Sequence, residues 1–475
     1  MTIEVDIAIL GGGPAGYTAA IRAAQLGKRT AVVEAGKLGG TCLHQGCIPS
    51  KSLLRSAEVY HTVKQAEVFG VRVPADRIEL DYTRVLERKQ QTVDQLHRGL
   101  QSLMRKHDIL VVQGKGRVIG PSIFSPRSGS LAVELADGEM ETVVSRNLIL
   151  ATGSQPRTLK GLEPDGRYVM TSDDALAMTE LPRSLLIVGG GVIGVEWASM
   201  MNDFGAQVTL VETASRLLPG EDGEVSAEAD KQLQRRGVRV LTGVAIDPST
   251  YRAEDGGIAI YADTEGGRVQ LEAERMLVSV GRAARVAGIG LENTDVRSED
   301  GIIPVNGMMQ TSEPHIYAVG DVNGGLQLAH AAAHEAIIAV EHICGLAPQP
   351  LEHHRVPRAI YSRPEIASIG YTEYEVKKLG LEVKTGKVPF AAIGKAWVRG
   401  ETEGFVKVIA DRATGDLLGV HIIGPGATDM ISEAALAQLL DATPWEASQA
   451  IRPHPSLSES LGEAMMAVDG QSLAF

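Results

Sequence analysis

Short apolar runs alternate with helix-length amphipathic stretches along most of the chain. The first run, Asp6-Ile-Ala-Ile-Leu10, opens almost at once and leads into a glycine-rich turn. The whole segment from Asp6 to Glu34, DIAILGGGPAGYTAAIRAAQLGKRTAVVE, reads as strand, helix and strand. Ser184 to Glu212, SLLIVGGGVIGVEWASMMNDFGAQVTLVE, repeats it. A shift of 178 carries Gly11, Gly13, Gly16, Gly27 and Glu34 onto Gly189, Gly191, Gly194, Gly205 and Glu212. A βαβ unit is therefore written twice. Between the copies, Asp81 to about Lys106 has helical periodicity through Val93, Leu96, Leu100 and Leu103. The C-terminal part changes character. Strand-like runs at Gly404 to Ala410 and Leu417 to Ile423 precede helices near Asp429–Leu440 and Leu457–Met466. A separate α+β domain is expected there.

Length and charge narrow the picture. A chain of 475 residues suits about three domains. The formal net charge of -13 disfavours nucleic acid and anionic lipid, so neither nucleic-acid nor membrane binding is expected. No run approaches the roughly 20 apolar residues that cross a bilayer. The N-terminus shows no basic stretch followed by an apolar one, so a cytoplasmic location is expected. The three cysteines, Cys42, Cys47 and Cys344, are too few for a secreted disulfide framework. Cys344 reads as a packed small residue.

Each glycine triplet follows an apolar run and opens a helix, and in each copy an acid lies 21 residues past the second glycine. Such turns bring a pyrophosphate onto a helix N-terminus, where free N–H groups and the helix dipole favour negative charge. Glu34 and Glu212 are placed to accept hydrogen bonds from ribose hydroxyls. A carboxylate at Glu212 would repel a 2'-phosphate, which favours NAD over NADP; Arg216 is the nearest base that could blur this. Directly after the first unit comes Gly39-Gly-Thr-Cys42-Leu-His-Gln-Gly-Cys47-Ile-Pro-Ser-Lys51. If the stretch near Cys42 is helical, the two thiols fall within reach, with Gly46 easing the distortion. A helix N-terminus and Lys51 would lower a thiol pKa. A zinc half-site and two unrelated buried thiols are the competing readings; the first lacks a second cysteine pair. His330 and His334 have helical zinc spacing but no third ligand, so no metal site is expected.

The segment GGTCLHQGCIPSK resembles the redox-active stretch of the pyridine nucleotide-disulfide oxidoreductases, and its CIPSK form resembles the dihydrolipoamide dehydrogenase branch. Further motifs fit in order: GGGPAG, ATGS at Ala151–Ser154, GGGVIGVE, SVGR at Ser279–Arg282, YAVGD at Tyr317–Asp321, LAHAA and HPSLSE. Details such as EWASM resemble the bacillar type that serves the branched-chain 2-oxoacid complex. The resemblance implies an α/β fold with two Rossmann-like dinucleotide-binding domains, for FAD and NAD, plus a C-terminal α+β dimerisation domain. The implied boundaries are 1–153 and 282–350 for FAD, 154–281 for NAD and 351–475 for dimerisation. FAD would meet Gly11, Gly13, Gly16, Glu34, Thr41, Lys51, Gly116, Thr152, Gly153, Asp321 and Ala329. NAD would meet Gly189, Gly191, Gly194, Glu212 and Gly281, and Lys51 would pair with Glu196 beside the flavin. Cys47 would face the flavin and Cys42 would exchange with substrate sulfur. His454, oriented by Glu459, would act on the thiols of the other subunit of a homodimer. After Gly281-Arg282 this chain has Ala-Ala-Arg where Arg-Pro-Asn is usual.

Without the resemblance, His454 between Pro453 and Pro455 would pass for a surface residue. A carboxylate such as Glu459 on one imidazole nitrogen would nonetheless set its tautomer and support the charged form. The expected reaction oxidises a dihydrolipoyl group carried by a 2-oxoacid dehydrogenase complex, with its dihydrolipoyl domain and acyltransferase core as partners. Two alternatives stand beside it. One is a reductase of another disulfide, mercuric ion or quinone. The other is a scaffold flavoprotein with little turnover.

Overall fold

The computed structural model describes residues 2–121, 127–254 and 256–474. The chain divides into two compact units. One comprises Met1–Ser52, Thr83–Arg157 and Arg282–Leu351; the other comprises Leu53–Tyr82, Thr158–Gly281 and Glu352–Phe475.

In the first unit the expected βαβ is present: β1 (Thr2–Leu10), α1 (Pro14–Gln25) and β2 (Thr30–Glu34). β1 and β2 pair in parallel, with Ile7 opposite Thr30 and Leu10 opposite Val33. The sheet runs in the order Leu110–Gln113, β2, β1, Met140–Leu150, Ser130–Glu134, Lys115–Ile119. A further strand, Ile316–Ala318, also pairs with Met140–Leu150. Both faces are covered. Ile7, Ile9 and Val32 enter one core, while Ala8, Leu10, Ala31 and Val33 enter another. A sheet buried on both sides reads as continuous apolar runs rather than an alternation, as these strands do. On one face, α1 lies against the helix Ala329–Ile343. The contact is rich in alanine, with Ala15, Ala19 and Ala23 in the same core as Ala332, Ala336 and Ala339. Cys344 ends the second of these helices and packs against that core.

Two helices carry the cysteines: α2 (Gly40–His44) and α3 (Cys47–Lys64). The long amphipathic stretch forms α4 (Tyr82–Lys106). Its buried stripe differs from the expected one. Val93 and Met104 are buried and Leu100 packs partly, while Leu96 is 45% and Leu103 37% exposed. The inward stripe therefore runs through Val93, His97, Leu100 and Met104. Both patterns satisfy a period of 3.6 residues, and the histidine hid the true one.

The second unit contains the second βαβ, with strands Ser184–Val188 and Gln207–Glu212 around the helix Val192–Phe204. They belong to a five-stranded sheet in which the described pairings are parallel. A three-stranded antiparallel sheet spans residues 245–273. The C-terminal part builds a five-stranded antiparallel sheet that includes Phe405–Asp411 and Leu417–Ile423, with helices Ala427–Leu439 and Glu459–Ala467. This is the expected α+β arrangement. Among the described residues no helix is long and apolar enough to cross a membrane.

Candidate active site

The glycine turns show why their residues are glycine. Gly11 has φ +107° and Gly189 has φ +110°, which side-chain-bearing residues rarely adopt. A Cβ on Gly16 would lie 1.8 Å from the Gly11 carbonyl oxygen, and one on Gly194 would lie 1.8 Å from that of Gly189. The first and third glycines therefore serve the protein's own packing. The middle ones do not. A Cβ on Gly191 would meet nothing within 4 Å, and one on Gly13 only Gly40 Cα at 3.9 Å. Gly13 and Gly191 are the N-caps of their helices, and neither helix has a side-chain cap. Uncapped N–H groups beside open space fit a dinucleotide pyrophosphate.

The two acids behave alike. Glu34 accepts from the Gly12 N–H at 2.6 Å and from the Gly36 N–H at 2.7 Å. Glu212 accepts from Gly190 N–H at 2.6 Å and Ala214 N–H at 2.7 Å. A carboxylate has about four acceptor positions, so ribose hydroxyls can still bind. Arg216 is committed to its own loop, donating to the carbonyls of Glu221 at 2.8 Å and Pro219 at 2.7 Å.

The thiol segment does not form one continuous helix. α2 ends at His44, Gln45 leaves helical geometry, and α3 begins at Cys47. Gly46 makes this break compact: a Cβ there would lie 3.0 Å from Thr41 O and 3.5 Å from Cys42 Cα. The break brings the Cys42 and Cys47 side chains into hydrogen-bond contact. The Cys42 thiol is pushed up by its bond to Cys47, by burial and by like charge on Cys47, while Lys51 pulls it down. For Cys42 the net direction is opposite to the lowering expected for a thiol beside a helix N-terminus and Lys51. The bond to Cys47 and burial outweigh the lysine at this thiol. Tyr17, directly after Gly16 on α1, stands near the same pair. Burial and then both thiols hold its phenol above the usual range.

The other expected residues are spread over several elements. Thr152 Oγ1 donates to Arg285 O at 2.7 Å, and Gly153 takes φ +71°. Asp321 accepts from Ser154 Oγ. Arg282 bonds that Ser154 hydroxyl at 2.8 Å and its carbonyl at 3.1 Å, and Arg282–Ala284 pairs antiparallel with Ser154–Pro156. The Ala-Ala-Arg departure is thus accommodated in a short ribbon. Gly116 leaves room for Leu10 and Val33, whose side chains a Cβ would crowd at 2.6 and 2.7 Å. Thr41 lies within α2, Gly281 takes φ +103°, and Ala329 opens the helix Ala329–Ile343. Glu196 is buried on the helix Val192–Phe204 and accepts from the Tyr361 N–H at 2.9 Å. His454 Nδ1 meets Glu459 Oε1 at 2.8 Å, and Glu459 Oε2 accepts from Ser456 N–H at 2.8 Å. The Ser456 N–H and then His454 hold the Glu459 carboxyl below its usual range. The imidazole is 78% exposed, open to a group from outside the chain.

Residues 5–336 match the profile of the pyridine nucleotide-disulphide oxidoreductases, and 356–465 that family's dimerisation domain. The chain belongs to this oxidoreductase family. Its relatives include a dihydrolipoyl dehydrogenase of Bacillus subtilis, 57% identical, with 100% of each chain covered. Another, from Zymomonas mobilis, is 40% identical, again with 100% of each covered. Among solved structures, LpdA of Mycobacterium tuberculosis superposes with TM-score 0.89 at 27% identity, covering 98% of this chain and 99% of that one. The copper(II) complex of the flavoprotein disulfide reductase RclA of Escherichia coli gives 0.84 at 27% identity, covering 97% and 99%.

Tyr17, Ser154 and Arg282 do not stand out from the sequence as site residues. For Tyr17 the available signal is its position one residue past the third glycine. Ser154 and Arg282 are 128 residues apart, and no local pattern joins them.

Proposed function

We propose that this family member oxidises dihydrolipoyl groups with NAD, using FAD and a Cys42–Cys47 redox pair. The observation that carries the reading is the contact between the two thiols, at a helix break beside the first glycine turn, in a chain with a second such turn. Bound FAD supplies the electron route from the thiol pair to NAD. The first turn, with Thr41, Lys51, Gly116, Thr152, Gly153, Asp321 and Ala329, holds FAD. The second, with Glu212 and Gly281, holds NAD. The domains are then 1–153 with 282–350, 154–281 and 351–475.

A substrate thiolate attacks the Cys42 sulfur of the disulfide, the Cys42–Cys47 bond breaks, and Cys47 leaves as thiolate. The second substrate thiol then displaces Cys42 from the mixed disulfide, giving lipoyl disulfide and the reduced pair. His454 takes the proton of the attacking thiol, and Glu459 holds it in the tautomer that can do so. The exposed imidazole acts on the thiols of the partner subunit in a homodimer. The substrate arrives on the dihydrolipoyl domain of a 2-oxoacid dehydrogenase complex, whose acyltransferase core is the larger partner, in the cytoplasm.

Anaerobic titration with dihydrolipoamide or NADH tests this. A long-wavelength band from a thiolate against the flavin is expected, and it should be missing in Cys47→Ser. A wild-type protein that makes no NADH from dihydrolipoamide would sink the reading.

A further inference from the structure

One carbonyl oxygen in the redox segment carries two imidazoles. Leu38 lies in the loop between β2 and α2 and is buried. Its oxygen meets His44 Nε2 at 2.9 Å and His97 Nδ1 at 2.9 Å. The rings stand edge to face with centroids 5.1 Å apart. A carbonyl only accepts, so His44 carries a proton on Nε2 and His97 one on Nδ1.

α2 has few means of its own to stay in place. It has 5 residues, opens on Gly39 and Gly40, both at positive φ, and has no side-chain cap. A helix so short is not stable by itself. α4 is the opposite case, with 25 residues and an apolar stripe in the core. His97 sits on that stripe between Val93 and Leu100, where the pattern calls for an apolar residue. The shared bond at Leu38 therefore ties the helix bearing Cys42 to a rigid neighbour.

We propose that His44 and His97 are positioning residues that hold Cys42 against Cys47 through the Leu38 carbonyl and so favour the disulfide over the dithiol. The proposal rests on the reading of Cys42 and Cys47 as a redox pair. Loosening α2 lowers the effective concentration of one sulfur at the other, which weakens the disulfide.

The test equilibrates the FAD-loaded protein anaerobically in dithiothreitol buffers. There the two thiols give two electrons and two protons to oxidised dithiothreitol as the S–S bond forms. Rapid alkylation and mass spectrometry then count the thiols. His97→Ala should lower the equilibrium constant for the disulfide by about fivefold or more, a shift of about 20 mV. His97→Asn, whose amide N–H replaces Nδ1–H, should stay within about twofold of wild type. His44→Ala and His44→Gln should divide in the same way. A merely structural role would lower the melting temperature and leave the equilibrium where it was. The proposal is overturned if the folded alanine variants keep the wild-type constant, or if His97→Asn shifts as far as His97→Ala. Should His97→Ala not fold, His97→Leu takes its place: a fivefold fall against His97→Asn supports the proposal, and an unchanged constant overturns it. If wild type forms no Cys42–Cys47 disulfide at any buffer ratio, the redox reading falls and takes the proposal with it.

Discussion

The two glycine turns are nearly superposable instructions with different surroundings. Each uses its first glycine for a positive φ and its third for a 1.8 Å approach that no side chain could survive. Each binds its acid to two backbone N–H groups. They part company beyond the second strand of each unit. After Glu34 the chain returns to the turn, so that Gly40 comes against Gly13, and then delivers Cys42 and Cys47. After Glu212 it closes Arg216 on its own carbonyls and brings no thiol. A shared local fold thus specifies dinucleotide binding in general, and the next few residues specify which chemistry is placed beside it.

The comparison breaks most visibly at the thiols. Cys47→Ser should cut NADH formation from dihydrolipoamide by roughly a thousandfold or more. NADH affinity, measured by fluorescence quenching, should hold, because the second turn is untouched. The next effect should be common to both turns. Gly16→Ala and Gly194→Ala each push a methyl into a carbonyl oxygen and should each cost about 3 kcal/mol, read as a fall in the urea midpoint. Unequal losses would show that the turns are not equivalent.

The middle glycines should separate them again. Gly191→Ala should weaken NADH binding about tenfold, or about 1.4 kcal/mol, with stability unchanged. Gly13→Ala should instead reduce FAD retention on ultrafiltration. The smallest expected effect is at the acids. Glu212→Gln removes the charge that repels a 2'-phosphate and should narrow the kcat/KM preference for NAD over NADP by up to about tenfold. Glu34→Gln should leave that ratio alone.

Much of this is legible in the sequence. The repeat, both acids and the cysteine pair depend on spacings of a few to about thirty residues within single motifs, whereas the His454–Glu459 pairing is legible only through the family resemblance. The inward face of α4 is not legible: Leu96 and Leu103 fit the period as well as His97 and Met104, and hydrophobicity favours the leucine pattern. The Cys42 pKa is not legible either, because Lys51 is visible in the sequence, whereas burial and the bond to Cys47 are not. Arg282 is a plain basic residue until the fold lays its strand along Ser154.

The chain's own order of residues determined where turns must be glycine, where helices begin, and which atoms are chemically able to exchange electrons. These follow from φ preferences, helical period and side-chain chemistry, all of which act over short stretches. Only the tertiary structure decided which of those groups meet. Leu38 gathers imidazoles from 6 and 59 positions away onto one oxygen, and Ser154 collects partners from 128 and 167 positions away. Contacts of that span arise from packing whole elements against each other, and no local preference encodes them.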